Sequence, residues 1–276
     1  MKIASFNING IKARVNALQD WLKEAEPDVA ILQEIKSVDE NFPRELFEDM
    51  GYNVETHGQK SFNGVALLSK LPLEDVTRGL PDAEGAGRDG ADDEEARYIE
   101  ATVVGDKGAI RICGLYLPNG NPVDLDSDGA PVPGSKYDFK LKWFDRLTAR
   151  AQELLAEEQP FLMAGDYNLI PQPEDAKRPE AWKEDALFRP ESRAKYRSLM
   201  NLGLTDALRV RNGAPETYTF WDYQAGAFQK NDGIRIDHFL LSPQAADLLT
   251  DCQIDAYTRA KDKPSDHVPI WVDLGL

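Results

Sequence analysis

The sequence of 276 residues is short of cysteine, with two, and of histidine, with three. Cys113 and Cys252 both lie in apolar runs, so they read as buried free thiols and not as a disulfide staple. A chain this long can bury enough surface to do without one. The first residues, Met1 to Phe6, run directly into a strand-like pattern and lack the charged-then-apolar order of a signal peptide. No apolar run approaches the roughly 18 residues of a membrane span. The expectation is a soluble, cytoplasmic chain with no membrane partner. Positive charge is also scarce: 32 Lys and Arg stand against 48 Asp and Glu, for a net charge of -16. Long-range electrostatics therefore disfavour a polyanionic partner. Yet a net -6 falls in 82–95 alone, so a local basic face elsewhere remains compatible with one.

What the chain has in abundance is short apolar runs of strand length. They are Ile3 to Phe6, Val29 to Leu32, Val65 to Leu68, Ile99 to Val104, Ile110 to Leu117, Phe161 to Ala164, Ile236 to Leu241 and Val268 to Val272. Several are too uniformly apolar for a sheet with one wet face, which predicts sheets covered on both sides. Helical patterns fall between them: 138–157, with Phe144, Leu147, Ala151, Leu154 and Leu155 on one stripe, then 15–25 and 192–202. No linker or internal repeat divides the sequence. One α/β domain over 1–276 is expected, built of packed sheets and helices. Three long loops are expected at 79–95, 119–136 and 170–190.

Two motif matches carry no weight. Gly85, Gly87 and Gly90 fit a GxGxxG pattern, but it neither follows a strand nor opens a helix, and acids follow it. Asp124, Asp126 and Asp128 imitate the first half of a calcium loop, but its twelfth position is Ser135 where a bidentate Glu is needed. An acidic surface loop is the better reading there.

The informative polar residues sit at the ends of the buried strands. Asn7 and Asn9 close the first strand and alternate onto one side, either as an Asx turn or as site ligands. Glu34 ends the second, where a buried carboxylate needs a cation; Lys36 or a metal could supply it. Tyr116 ends another strand, as a core-edge residue or a donor to a phosphate oxygen. Asp166 and Asn168, two residues apart after Gly165, can hold and orient a water, or form an Asx-turn loop. Asp237 lies inside a strand start, paired with an imidazole or with Arg235. Asp266 and His267 stand side by side before the last strand, where His267 can act as a base or stabilise developing charge.

Taken together, Ser5 to Gly10, Leu32 to Lys36, Gly114 to Gly120, Gly165 to Asn168, Tyr218 to Tyr223, Arg235 to Asp237 and Ser265 to His267 resemble the exonuclease III, or abasic-site endonuclease, branch of the endonuclease/exonuclease/phosphatase superfamily. The matching stretches span nearly the whole chain. The resemblance implies a four-layered α/β sandwich, two face-to-face sheets flanked by helices. It implies an enzyme, a Mg²⁺-dependent DNA-repair phosphodiesterase with Mn²⁺ as a substitute metal, acting on double-stranded DNA at abasic sites and 3′ ends, as a monomer. Glu34 would be the principal metal ligand, with Asn7, Asn9 and Asp266 around it. Asp166 would position or deprotonate the attacking water, and Asn7 and Asn168 would hold phosphate and water. Tyr116 would support the phosphate or leaving oxygen, and His267, oriented by Asp237, the charged transition state. An aspartate beside Mg²⁺ should have a lowered pKa, making Asp166 a better water orienter than base. Phe220, Trp221, Ile234 and Ile236 would line a pocket for an extruded abasic sugar, and Lys36 and Asn119 would add phosphate contacts. The acidic loops at 82–95 and 119–138 depart from the pattern. Two rivals keep the fold: a phosphatase of phosphoinositides or small phosphate esters, and a non-catalytic nucleic-acid-binding protein.

Overall fold

The structure, a computed structural model, describes residues 1–81 and 95–276. The acidic run and the GxGxxG match lie outside the described residues, but for Glu95. In chain order the elements are β1 (Lys2–Asn7), α1 (Ile11–Ala25), β2 (Val29–Gln33), α2 (Arg44–Glu48), β3 (Asn53–His57), β4 (Val65–Ser69), β5 (Leu73–Arg78), β6 (Tyr98–Gly105) and β7 (Gly108–Tyr116). They continue with α3 (Lys136–Ala156), β8 (Phe161–Asp166), α4 (Pro190–Met200), β9 (Thr205–Asp206), α5 (Ala207–Arg211), β10 (Asp237–Leu241), α6 (Pro243–Ala246), β11 (Leu249–Ile254) and β12 (Ile270–Leu274).

The strands form two mixed six-stranded sheets, ordered β11-β12-β1-β2-β4-β3 and β5-β6-β7-β8-β10-β9. Each contains one parallel pair. Helix α1 makes the crossover between β1 and β2, and α3 the crossover between β7 and β8. Strand alternation builds the layers. Ile3, Val29, Ile31, Val65 and Leu67 of one sheet meet Ile99, Ala101, Ile112, Leu162, Ala164 and Phe239 of the other. The intervening residues face outward. Ala4, Ala30 and Leu32 pack on Leu18, Trp21 and Leu22 of α1. Cys113 and Met163 pack on Trp143, Phe144 and Leu147 of α3. The result is the four-layered sandwich, and the strands are buried on both faces as their composition predicts. Both cysteines are free and buried.

Helix α1 begins four residues before the predicted start because Gly10, at φ 101, turns the chain directly off β1 and lets Ile11 bury. The 119–136 segment is an acidic loop whose Asp126 carboxylate accepts the backbone N–H groups of Asp128 and Ala130, closing a local turn. Among the described residues no helix is long and apolar enough to cross a membrane.

Arg235 does not pair with Asp237. Its guanidinium is buried, donating to Asp175 Oδ1 at 2.7 Å, to Asp206 Oδ2 at 2.8 Å and to His238 Nδ1 at 3.0 Å. His238 Nε2 donates to the Leu169 carbonyl at 3.0 Å, so the imidazole is held neutral between a cation and a carbonyl. Burial, then the charge of Arg235, push its pKa down to about 4, against the pull of Asp206. The unfolded chain therefore takes up a proton first as pH falls. Stability should drop by about 3 kcal/mol between pH 6.5 and 4 from this group, and be unaffected by it above. Denaturant midpoints across that range should fall less steeply in His238→Gln. Parallel slopes would mean that His238 does not carry the dependence.

Candidate active site

The parity that builds the core also aims the polar residues. Asn7 continues the inward row of Ile3 and Ser5; Tyr116 that of Ile110 and Ile112; Asp166 that of Leu162 and Ala164; Asp237 that of Phe239 and Leu241. All four lie where the inter-sheet core ends, so side chains from different sheets converge at one edge of the sandwich. Gly165 is required there: a Cβ on it would fall 1.8 Å from the Leu115 carbonyl oxygen. Directly after the strands, Asn9, Glu34 and Asn168 take left-handed conformations at φ 47, 50 and 44. Such geometry is costly for a Glu and marks a site where the fold over-determines the backbone.

Asn7 ties the two sheets together. Its Nδ2 donates to Glu34 Oε1 and to Asp166 Oδ2, both at 3.0 Å, and its Oδ1 accepts the Asn9 N–H. Tyr116 donates its hydroxyl to the same Glu34 Oε1 at 2.8 Å. The Arg97 guanidinium lies over the Tyr116 ring, 4.9 Å from its centroid. Burial and the charges of Glu34 and Asp166 hold the Tyr116 phenol well above its usual pKa, so it remains a donor. Burial pushes Glu34 up, but hydrogen bonds from Asn7 and Lys36 and the charges of Lys36 and His267 outweigh this and leave it below the ordinary carboxylate value.

On the far side, His267 Nδ1 donates to Asp237 Oδ2 at 2.8 Å, and His267 Nε2 is 3.6 Å from Asp166 Oδ2. Burial pulls the imidazole down, but Asp237 and Asp166 together hold it well above a free histidine, as imidazolium. Asp166 is perturbed as well. Burial pushes it well above the carboxylate range; the His267 charge draws it back, and Asp237 raises it again. A carboxylate raised in this way can accept a proton as well as orient a water. Asn168 holds it in place, its backbone N–H donating to Asp166 Oδ1 at 2.8 Å. The Asn168 side chain donates to the Leu117 carbonyl and accepts from Asn119 Nδ2 at 3.0 Å.

Two of the expected metal ligands, Glu34 and Asn9, place oxygens on a cation already, while Asn7 Oδ1 is taken by the Asn9 N–H. Lys36 Nζ is 2.8 Å from Glu34 Oε2 and 2.6 Å from Asn9 Oδ1, and Asn9 Nδ2 donates to Asp266 Oδ1 at 3.0 Å. Few carboxylates and an amide oxygen, with one edge open to solvent, suit a hard cation such as Mg²⁺. The ammonium stands in for the charge that such an ion would bring. Asp166, Asp237 and His267 also cluster closely enough to hold an ion. There the His267 Nδ1 is already engaged by Asp237, which fixes the ring with Nε2 towards Asp166.

Phe220, Ile234 and Ile236 form one apolar cluster with Ile170, Leu187 and Phe188. Phe220 meets the His267 ring edge-on at 5.1 Å. Trp221 turns away from them into a separate cluster with Tyr218, Ala227 and Val268, its indole donating to Asn231. Four residues around the site escaped the sequence reading: Ser265, whose Oγ donates to the Asn7 carbonyl at 2.7 Å; Arg97; Arg14, which donates to the Asn9 carbonyl; and the buried Lys140. Lys140 had a signal. It falls on the apolar stripe of α3 between Tyr137 and Phe144, where a lysine is out of place.

The endonuclease/exonuclease/phosphatase family matches residues 4–267 of the chain. The chain belongs to that family. Exodeoxyribonuclease III of Haemophilus influenzae is 35% identical, over 99% of this chain and 100% of that protein. DNA repair nuclease APEX1 of Danio rerio is 30% identical, over 100% of this chain and 83% of that protein. Among solved structures, an AP endonuclease from Archaeoglobus fulgidus superposes with a TM-score of 0.87 at 34% identity, covering 100% of both chains. A 3′-5′ exonuclease from Neisseria meningitidis gives 0.89 at 34%, again over 100% of both. These likenesses place the chain in the exonuclease III and AP-endonuclease branch of the family, as a phosphodiester hydrolase. The family is metal-dependent, in keeping with the oxygen donors at this edge.

Proposed function

We propose that this chain is a Mg²⁺-dependent DNA-repair phosphodiesterase that cuts double-stranded DNA on the 5′ side of an abasic site and trims 3′ ends. It would act as a monomeric, single-domain enzyme in the cytoplasm. The observation that carries the reading is the Asn7 bridge between Glu34 and Asp166, which links a cation-holding carboxylate to a proton-accepting one across the two sheets. The exonuclease III and AP-endonuclease relatives support the choice of DNA as substrate. A Neisseria 3′ phosphatase of 34% identity, solved with a product DNA hairpin, supports action at 3′ ends.

In this reading Asp166 takes a proton from the attacking water, whose oxygen bonds to phosphorus as the bond to the 3′ oxygen breaks; that oxygen leaves with the bonding pair and takes a proton from solvent to become the 3′-hydroxyl. Asn168 keeps Asp166 aligned through its backbone N–H. The His267 imidazolium, fixed by Asp237, offsets the charge that builds on the phosphate. Tyr116 and Asn119 offer hydrogen bonds to phosphate oxygens. Mg²⁺ or Mn²⁺ at Glu34, Asn9 and Asp266, beside Asn7, would withdraw charge from the phosphate. Phe220, Ile234 and Ile236 supply an apolar wall beside His267 for a sugar that lacks a base, the nucleotide cheapest to extrude.

A duplex with one abasic analogue should be nicked in Mg²⁺ or Mn²⁺ and left intact in EDTA, while an inositol phosphate is spared. Hydrolysis of the inositol phosphate alone would favour the phosphatase rival; binding without turnover would favour the non-catalytic one. Lys36 gives a signed corollary. Its ammonium shares Glu34 and Asn9 with the metal, so Lys36→Met should lower the Mg²⁺ concentration for half-maximal rate by up to about 5-fold, given a part-exposed pair. The same variant should raise KM for duplex by removing a phosphate contact. A Mg²⁺ titration superimposable on the unmodified chain's would show that the ammonium does not compete.

A further inference from the structure

Lys140 lies in the first turns of α3, fully buried at 0% exposure. Burying an ammonium is costly unless the fold uses its hydrogen bonds. Packing alone does not require it, since a methionine of similar length would fill the same stripe. What it reaches is the backbone behind the site. Its Nζ donates to the Asn168 carbonyl at 2.6 Å and to the Asn119 carbonyl at 3.0 Å. Those residues follow β8 and β7, two parallel neighbours, and their side chains are bonded to each other. One ammonium therefore closes a ring with the asparagine pair. Gly120, at φ +87, leaves the space: a Cβ there would lie 2.6 Å from Lys140 Cδ.

We propose that Lys140 is a positioning residue for phosphodiester cleavage, an ammonium strut that fixes Asn119 and Asn168 and, through the Asn168 amide, Asp166. The inference rests on the function proposed above. Asn168 sits in a left-handed conformation, and its N–H holds Asp166 Oδ1, so any relaxation of its main chain moves the proton acceptor. Burial draws Lys140 down to about 7 against the pull of Asp185 and Asp166, and its charged and neutral forms alike carry the N–H donors that the two carbonyls take.

The bonds run to main-chain carbonyls, so the donors matter more than the side chain's identity. Lys140→Met keeps the volume and removes the donors; Lys140→Gln restores two N–H groups without charge. On an abasic duplex, Lys140→Met should lower kcat by at least about 30-fold with KM within about 3-fold, and Lys140→Gln should recover most of the loss. In an Asp166→Asn background the Lys140→Met effect should shrink to below about 3-fold, since the carboxylate that the strut positions through the Asn168 main chain is then already gone. If Lys140→Met does not fold, Lys140→Arg takes its place in the cycle: it keeps charge but misplaces the donors, and its loss should likewise vanish with Asp166→Asn. Equal losses in both backgrounds, or equal rates for Lys140→Met and Lys140→Gln, would reduce Lys140 to a packing residue and overturn the proposal. An unmodified chain that fails to cleave would overturn the proposed function and this inference with it. An active chain that loses activity in Asn168→Ala but not in Lys140→Met would overturn this inference alone.

Discussion

Asp166→Asn should lower kcat on an abasic duplex by at least about 10³-fold while leaving the chain folded and close to its original stability. The size follows from the two tasks the carboxylate performs, accepting a proton and anchoring the attacking water, each of which typically carries a factor of about 10²–10⁴. The stability half follows from its surroundings. Asp166 is buried beside Asp237 and Glu34, and its raised pKa records a carboxylate that the fold holds against its preference. An amide keeps the shape and can still accept the Asn168 N–H; it removes the like-charge contact but sets an NH2 group against Asn7 Nδ2, which now donates to Asp166 Oδ2, so gain and loss oppose each other. Single-turnover rates together with a thermal melt on the same sample separate the two effects. A variant retaining more than a tenth of the rate would remove Asp166 from the chemistry, whereas one that loses activity by unfolding would show it in the melt.

The second large effect is expected from the His267 and Asp237 pair. His267→Ala removes the cation facing Asp166, and Asp237→Asn removes the charge that holds the imidazolium and lets an amide N–H face Nδ1 in place of an acceptor. Each should cost about 10²–10⁴ in kcat. Because one acts through the other, the double variant should be no slower than the slower single one. Multiplicative losses in a double-mutant cycle would show that the two side chains contribute separately.

The interior of the fold was legible because inner strands must be apolar on both faces. All eight strands read from apolar runs are central members of the two sheets. The four that escaped, β3, β5, β9 and β11, are the four sheet edges. An edge strand has fewer neighbours and shows wet positions, as in Leu73–Arg78, where Glu74, Asp75 and Arg78 are exposed, so it leaves no apolar run to find. At the site, local adjacency was readable where chemistry sat within a few residues, as in Asp166 with Asn168 and Asp266 with His267. Contacts across the sheets were not. Asn7 and Asp166 are 159 residues apart, and only the register of two sheets and the inward parity of their strands brings them to 3.0 Å. Asn7 and Tyr116 were therefore reached through the family resemblance, and the geometry then supplied the reason for their types. Trp221 shows the limit of such transfer: its neighbour Phe220 faces the site, and strand-like alternation sends the indole the other way. Lys140 was visible as an anomaly on an apolar stripe, but its partners come from two loops that periodicity does not describe.

The central claim is that these converging side chains direct water onto a backbone phosphorus on the 5′ side of an abasic site. Cleavage of a duplex carrying one tetrahydrofuran abasic analogue in ¹⁸O-enriched water tests it most directly. One ¹⁸O should appear in the 5′-phosphate of the abasic fragment, the other fragment should end in an extendable 3′-hydroxyl, and both should be absent in EDTA and in Asp166→Asn. Fragments without ¹⁸O, label in a 3′-phosphate, or undiminished cleavage by Asp166→Asn would contradict the account.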